Sequence, residues 1–108
     1  MDIVTDQETL DRYRQGAVLV MFGGADCSVC GAVTPKIETL IREEFPRLDS
    51  IYLDCQSGAA QACAQERIFS IPVVQVWFEG RKFAEFVRVF SISDIRDAIA
   101  RPYELAFS

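Results

Sequence analysis

The spacing of apolar residues changes several times along the chain, and each change marks an element. Residues 17–22, "AVLVMF", are continuously apolar and rich in β-branched side chains. Such a run predicts a strand buried on both faces, as in a parallel sheet. Beyond Cys27 the period turns helical. Val29, Val33, Ile37, Leu40, Ile41 and Phe45 form one stripe that stops before Pro46. "SIYLD", 50–54, predicts a second strand, and the alanine-rich "GAAQACAQER", 58–67, a short helix. "VVQVWF", 73–78, predicts a third strand, "EGR" a tight turn, and "KFAEFVRV", 82–89, the antiparallel partner. At the front, "TDQE" has the form of a capping box on Thr5 and Glu8, followed by Leu10 and Tyr13 and stopped by Gly16. At the back, Ser91 caps a helix with Ile92, Ile95 and Ile99 on one face and Pro102 closing it. The "DIV" before the first helix carries a faint strand signal.

The predicted order is helix, strand, helix, strand, helix, strand, strand, helix. Strands separated by helices imply right-handed parallel crossovers, and the final hairpin adds an antiparallel edge. The expected fold class is α/β, a mixed sheet of four or five strands with helices on both faces. With 108 residues, half of them apolar, the chain makes one domain, 1–108.

Charge and composition then narrow the function. A net charge of −5 argues against nucleic-acid binding, which needs a basic face. No apolar run approaches the roughly 20 residues of a membrane span. "MDIVTDQ" lacks a basic-then-apolar export pattern, so the expected location is cytoplasmic. The chain contains no histidine. That removes Cys–His and Ser–His–Asp catalysis and histidine metal sites.

The chemistry therefore falls on the four cysteines. Cys27 and Cys30 form a C-x-x-C pair where the strand gives way to the helix. In a reducing compartment such a pair is catalytic or metal-binding more often than structural. A helix N-terminus carries unpaired N–H groups and about half a positive charge, which acidifies a thiol at Cys27. Cys30, one turn on, is placed to resolve what Cys27 attacks. Asp26 opposes this if its charge points inward, or competes for the same N–H groups as a cap. Pro35 cannot donate to the Gly31 carbonyl, so the helix bends or loosens there. Cys55 and Cys63 are eight residues apart, and on one continuous helix would be about 12 Å apart. Zinc ligation by all four cysteines is disfavoured on that spacing. Cys63 reads as a small buried side chain, Cys55 as a loop residue, and a disulfide between them stays open.

These features together resemble the thioredoxin-like family over nearly the full length. The resemblance is carried by "VLVMF", "CSVC" at the next helix start, Pro35, and "SIPVVQVWFEG". It implies a three-layer α/β/α sandwich with a cis Ile71–Pro72 bond beside the cysteine pair. It also implies substrate contacts at Ile71, Pro72, Asp26 and Arg88. The flanks differ from the family pattern. Asp26 replaces a tryptophan, Ser28 and Val29 replace Gly-Pro, and Met21 stands where the family has a buried acid. The partnering lysine falls near Ser50, and a groove glycine on Arg88.

The expected function is thiol–disulfide exchange through Cys27 and Cys30, with no bound cofactor and no metal. The partners would be protein disulfides and a reductant. The alternative is a thioredoxin-fold interaction module with little or no redox turnover. A redox sensor would use the same pair as a slow switch.

Overall fold

The apolar run at 17–22 becomes the centre of the molecule. A computed structural model describes residues 1–108. In it, β2 (Ala17–Gly23) lies third in a five-stranded sheet of order β1-β3-β2-β4-β5. The short β1 (Asp2–Ile3) pairs in parallel with β3 (Asp49–Asp54), which pairs in parallel with β2. On its other side β2 pairs antiparallel with β4 (Val73–Phe78), and β4 with β5 (Arg81–Val87).

Alternation along β2 divides the core. Leu19 and Met21 face α2 (Ser28–Glu44) and α4 (Ile92–Phe107), packing with Ile37, Leu40, Ile95 and Ile99. Val18, Val20 and Phe22 face the opposite layer, with Leu10 of α1 (Gln7–Arg14) and Ala62 and Cys63 of α3 (Ala60–Gln65). All five of these β2 side chains are fully buried. Each such side chain contributes about 1.5–3 kcal/mol relative to exposure.

Helix ends depart from the sequence reading in two places. The first helix is capped by Asp6 rather than Thr5, and the expected Thr5–Glu8 box does not form. The Asp6 carboxylate accepts the Thr9 N–H at 2.9 Å and the Thr9 hydroxyl as well. A charged acceptor at the positive helix end outcompetes a neutral hydroxyl one residue earlier. Pro102 does not close the last helix; α4 continues to Phe107. Tertiary packing offsets the missing N–H there. Tyr103 stacks edge-on against Phe45 and beside Phe107, and its hydroxyl accepts the Arg47 N–H at 3.1 Å. At Ser91 the box does form, with Asp94 as its partner.

A polar network ties α1 to α3 beneath the sheet. Arg14, 8% exposed, donates to Glu66 at 3.0 Å and to Gln75 at 3.2 Å. Its guanidinium also lies 4.5 Å over the Trp77 ring. The Arg14 hydrogen bond holds the Glu66 carboxyl below the ordinary glutamate range, against a burial effect that raises it. A lowered folded pKa adds stability that is fully present above the ordinary glutamate value and drains away as pH falls through the lowered one. Glu66→Gln is therefore expected to cost about 1.5–3 kcal/mol at pH 7. The difference from the parent chain should shrink toward acid pH. Urea unfolding at pH 7 and pH 3 measures both; an equal loss at the two pH values contradicts the assignment.

Candidate active site

One end of the sheet gathers four loops. Gly23 ends β2 beside Asp54, the last residue of β3. Phe22 pairs with Val73 at the start of β4, and Val73 with Val87 at the end of β5. The segments after Gly23, after Asp54, before Val73 and after Val87 therefore emerge side by side. They carry Cys27, Cys55, Pro72 and Arg88.

Cys27 is itself the N-cap of α2, with φ −107°. Its Sγ accepts the Cys30 N–H at 3.2 Å. The two cysteines form a disulfide with their Cα atoms 5.2 Å apart. Cys27 is half-buried, whereas Cys30 is 1% exposed. Val29, between them, projects into solvent. Pro35 lies inside α2, where it leaves the Gly31 carbonyl without the usual helical donor.

Under the pair the floor is apolar. Met21 is fully buried, and no carboxylate takes its place. The Thr34 hydroxyl donates to the Cys30 carbonyl at 2.7 Å and touches Met21 Sδ at 3.3 Å. Ser50 is registered with Leu19, not with Met21, whose partner across the strands is Tyr52. Tyr52 lines a cleft of about 520 Å³ with Cys27, Cys30, Thr34, Pro35 and Glu38. Burial first, then the charge of Asp54, pushes the Tyr52 phenol up from its usual range. Sequence periodicity carries no signal for Tyr52 or Thr34; the strand pairing and the helical turn bring them to the pair.

Asp26 is exposed, and its carboxylate makes no hydrogen bond within the chain. It does not cap the helix, since Cys27 does. Its backbone N–H instead donates to Gln56 Oε1 at 2.8 Å. Pro72 is buried, and the Ile71–Pro72 bond is cis. Ile71 packs against the core that includes Cys30. Arg88 lies one residue beyond β5 with φ +66°. That left-handed conformation favours glycine and costs other residues about 1–2 kcal/mol. The Arg88 N–H donates to the Pro72 carbonyl at 2.7 Å. Its guanidinium has no ion pair within the chain.

The other cysteines are also joined. Cys55 and Cys63 form a disulfide with Cα atoms 5.5 Å apart. The 12 Å separation of a continuous helix does not apply, because Cys55 lies in the turn after β3 and the chain folds back into α3.

No family model matches the chain. Over 99 residues it is 27% identical to thioredoxin-like 3-2, chloroplastic, of Arabidopsis thaliana, across 87% of this chain and 52% of that protein. The chain thus spans about half the length of that curated relative. Thioredoxin 1 of Thermosipho africanus superposes with TM-score 0.74 at 28% identity, covering 84% of this chain and 99% of that one. Oxidised thioredoxin O2 of Arabidopsis thaliana superposes with TM-score 0.80 at 18% identity, covering 94% and 93%. The chain has the thioredoxin fold, and Cys27–Cys30 is its C-x-x-C pair. No helix is long and apolar enough to cross a membrane.

The contrast in burial gives a direct expectation for the reduced chain. Iodoacetamide should label Cys27 at least about tenfold faster than Cys30, because the reagent needs an accessible thiolate. Mass spectrometry of timed samples reads the two sites separately. Equal rates at the two cysteines would contradict the geometry.

Proposed function

We propose that the chain is a thiol–disulfide oxidoreductase working through Cys27 and Cys30. One observation carries the reading: Cys27 is half-exposed at a helix N-cap with its sulfur accepting an N–H, while its partner is buried one turn inside. The same helix end that donates to the sulfur favours a thiolate there once the bond is reduced.

In the reduced chain, the Cys27 thiolate attacks one sulfur of a partner disulfide. A mixed disulfide forms, the partner's S–S bond breaks, and its leaving thiolate takes a proton. Cys30 then loses its proton and attacks Cys27 Sγ. The Cys27–Cys30 bond closes as the mixed disulfide breaks, and the partner's second sulfur departs as a thiolate that takes a proton. Two electrons have passed to the partner, whose two thiolates take up one proton released by Cys30 and one from solvent, and a dithiol reductant restores the pair. With Met21 in the floor, the Cys30 proton leaves by water or by the exposed Asp26 carboxylate rather than through a buried acid.

Protein disulfides are the proposed substrates, docking along Ile71, Pro72, Asp26 and Arg88. The Ile71 N–H and C=O take no backbone hydrogen bond within the chain, which leaves them free to pair with an extended substrate segment. Arg88 adds an unpaired cation beside them. A cytoplasmic setting, poised by glutathione, suits an exchanger that must be re-reduced.

Trapping tests the roles. Cys30→Ser should accumulate mixed disulfides through Cys27, and Cys27→Ser almost none, on non-reducing gels with a reporter disulfide protein. Comparable trapping by both variants removes the assigned order. If neither traps, and the parent pair fails to equilibrate with a glutathione buffer, the interaction-module reading replaces this one.

Arg88→Gly separates docking from folding. Relief of the positive φ should leave the thermal midpoint at or above that of the parent chain. Exchange with a disulfide peptide flanked by acidic residues should fall about threefold at low salt, with the gap closing as salt screens the charge. An unchanged rate at low salt would remove Arg88 from the docking surface.

A further inference from the structure

The turn that carries Cys55 is bonded directly to the turn that carries Cys27. The Cys55 N–H donates to the Gly23 carbonyl at 2.8 Å, and the Asp26 N–H to Gln56 Oε1 at 2.8 Å. Gln56 also packs flat against Gly24. A Cβ on Gly24 would overlap the Gln56 amide, with Cγ at 2.7 Å. The Gln56 backbone is fixed in turn, its N–H donating to Asp54 Oδ1 at 2.9 Å. The turn closes where Ala59 N–H returns to the Asp54 carbonyl at 2.9 Å, and the Cys55–Cys63 disulfide fastens it to α3. Cys63 is 2% exposed, so that end of the fastening is rigid.

We propose that Gln56 is a positioning residue for the Cys27–Cys30 pair, and that the Cys55–Cys63 disulfide acts through it by holding its turn in place. The reason lies in competition for the helix end. Aspartate is among the strongest N-caps, and cysteine is not. Asp26 immediately precedes Cys27, yet Cys27 holds the cap and receives the Cys30 N–H. The Gln56 amide occupies the Asp26 backbone N–H and keeps that peptide in the turn. Released, the Asp26 carboxylate can take the free N–H groups of α2, displacing the sulfur from its donor. A thiolate at Cys27 then loses its hydrogen bond and gains a near carboxylate, and both effects disfavour it.

The part concerning reduction potential rests on the oxidoreductase reading; the part concerning the cap does not. The test uses Gln56→Ala, Asp26→Ala and their double variant in the full chain, plus Cys55→Ser/Cys63→Ser. The readouts are the pH profile of Cys27 alkylation in the reduced chain and the equilibrium of the pair with glutathione. Gln56→Ala should slow Cys27 alkylation at pH 7 about threefold to tenfold and move the profile to higher pH. It should also make the pair harder to reduce, since the dithiol form loses thiolate stabilisation. In the Asp26→Ala background the same change should have little effect, because the competing cap is gone. The Cys55→Ser/Cys63→Ser variant should shift the profile in the same direction by a smaller factor.

A merely structural Gln56 would give equal shifts with and without Asp26, and that additivity overturns the proposal. An unmoved profile in folded Gln56→Ala, judged by circular dichroism, also overturns it. If the double Cys→Ser variant does not fold, the Gln56 and Asp26 cycle decides alone. A shifted profile in a chain that never exchanges disulfides supports the positioning role while removing the oxidoreductase reading.

Discussion

Burial of β2 from both sides is the constraint on which the remaining structure rests. A strand with no polar side chain in the middle of a sheet can be satisfied only by neighbours on both edges and layers on both faces. β3 and β4 supply the edges, and the two helix pairs supply the layers. The strand must also end somewhere, and it ends at Gly23, with the chain still buried at Gly24 and first exposed at Ala25. A Cβ there would strike the Tyr52 ring, so glycine lets the chain leave the sheet close to β3. The cysteine pair is thus delivered to the end of the sheet by its most deeply buried strand. Its backbone can be held precisely enough for chemistry because the strand behind it is hydrogen-bonded along both edges and packed on both faces.

The pair's electrostatics follow from what lies above and below it. Above are the free N–H groups of α2, one of them donating to Cys27 Sγ. Below are Met21 and the Thr34 hydroxyl, whose proton is committed to the Cys30 carbonyl. The floor therefore supplies no buried carboxylate to take up a proton; Glu38 lines the cleft and Asp26 is exposed beside Cys27. The two cysteines are treated unequally by the same helix. The dipole acts on the outer sulfur, and exclusion of water acts on the inner one.

Much of this was legible in the sequence, because the relevant signals are local. The buried strand, the helical stripe, the hairpin and the Ser91 cap each need fewer than about twenty residues to be recognised. What escaped depends on the sheet. Tyr52 reaches the pair by its register with Met21, and Gln56 by the side-by-side exit of β2 and β3. Neither pairing has a local spacing. The Cys55–Cys63 bond was open for the same reason: a helical rise was the wrong ruler for a turn. Pro102 predicts a stop because helix propensity is local, while the aromatic packing of Tyr103 that overrides it is not.

The end of the sheet that carries the pair also carries a positive φ and bare apolar side chains. Arg88 holds a positive φ there, Phe69 is 85% exposed and Val89 92% exposed. An exposed cation and bare apolar side chains therefore stand near the buried Pro72. The opposite end of the sheet offers a contrast. There Glu79 and Gly80 make the β4–β5 turn with positive φ, but their N–H groups close onto Gly16 and Arg14 carbonyls at 3.1 and 2.7 Å. Strain at that end is matched by hydrogen bonds that lock α1 to the hairpin. At Arg88 the N–H is likewise satisfied by Pro72, but the side chain is left with nothing in the chain to meet. The two turns thus satisfy their backbones in the same way and differ in the side chain, since Arg88 is exposed at the end that carries the cysteine pair.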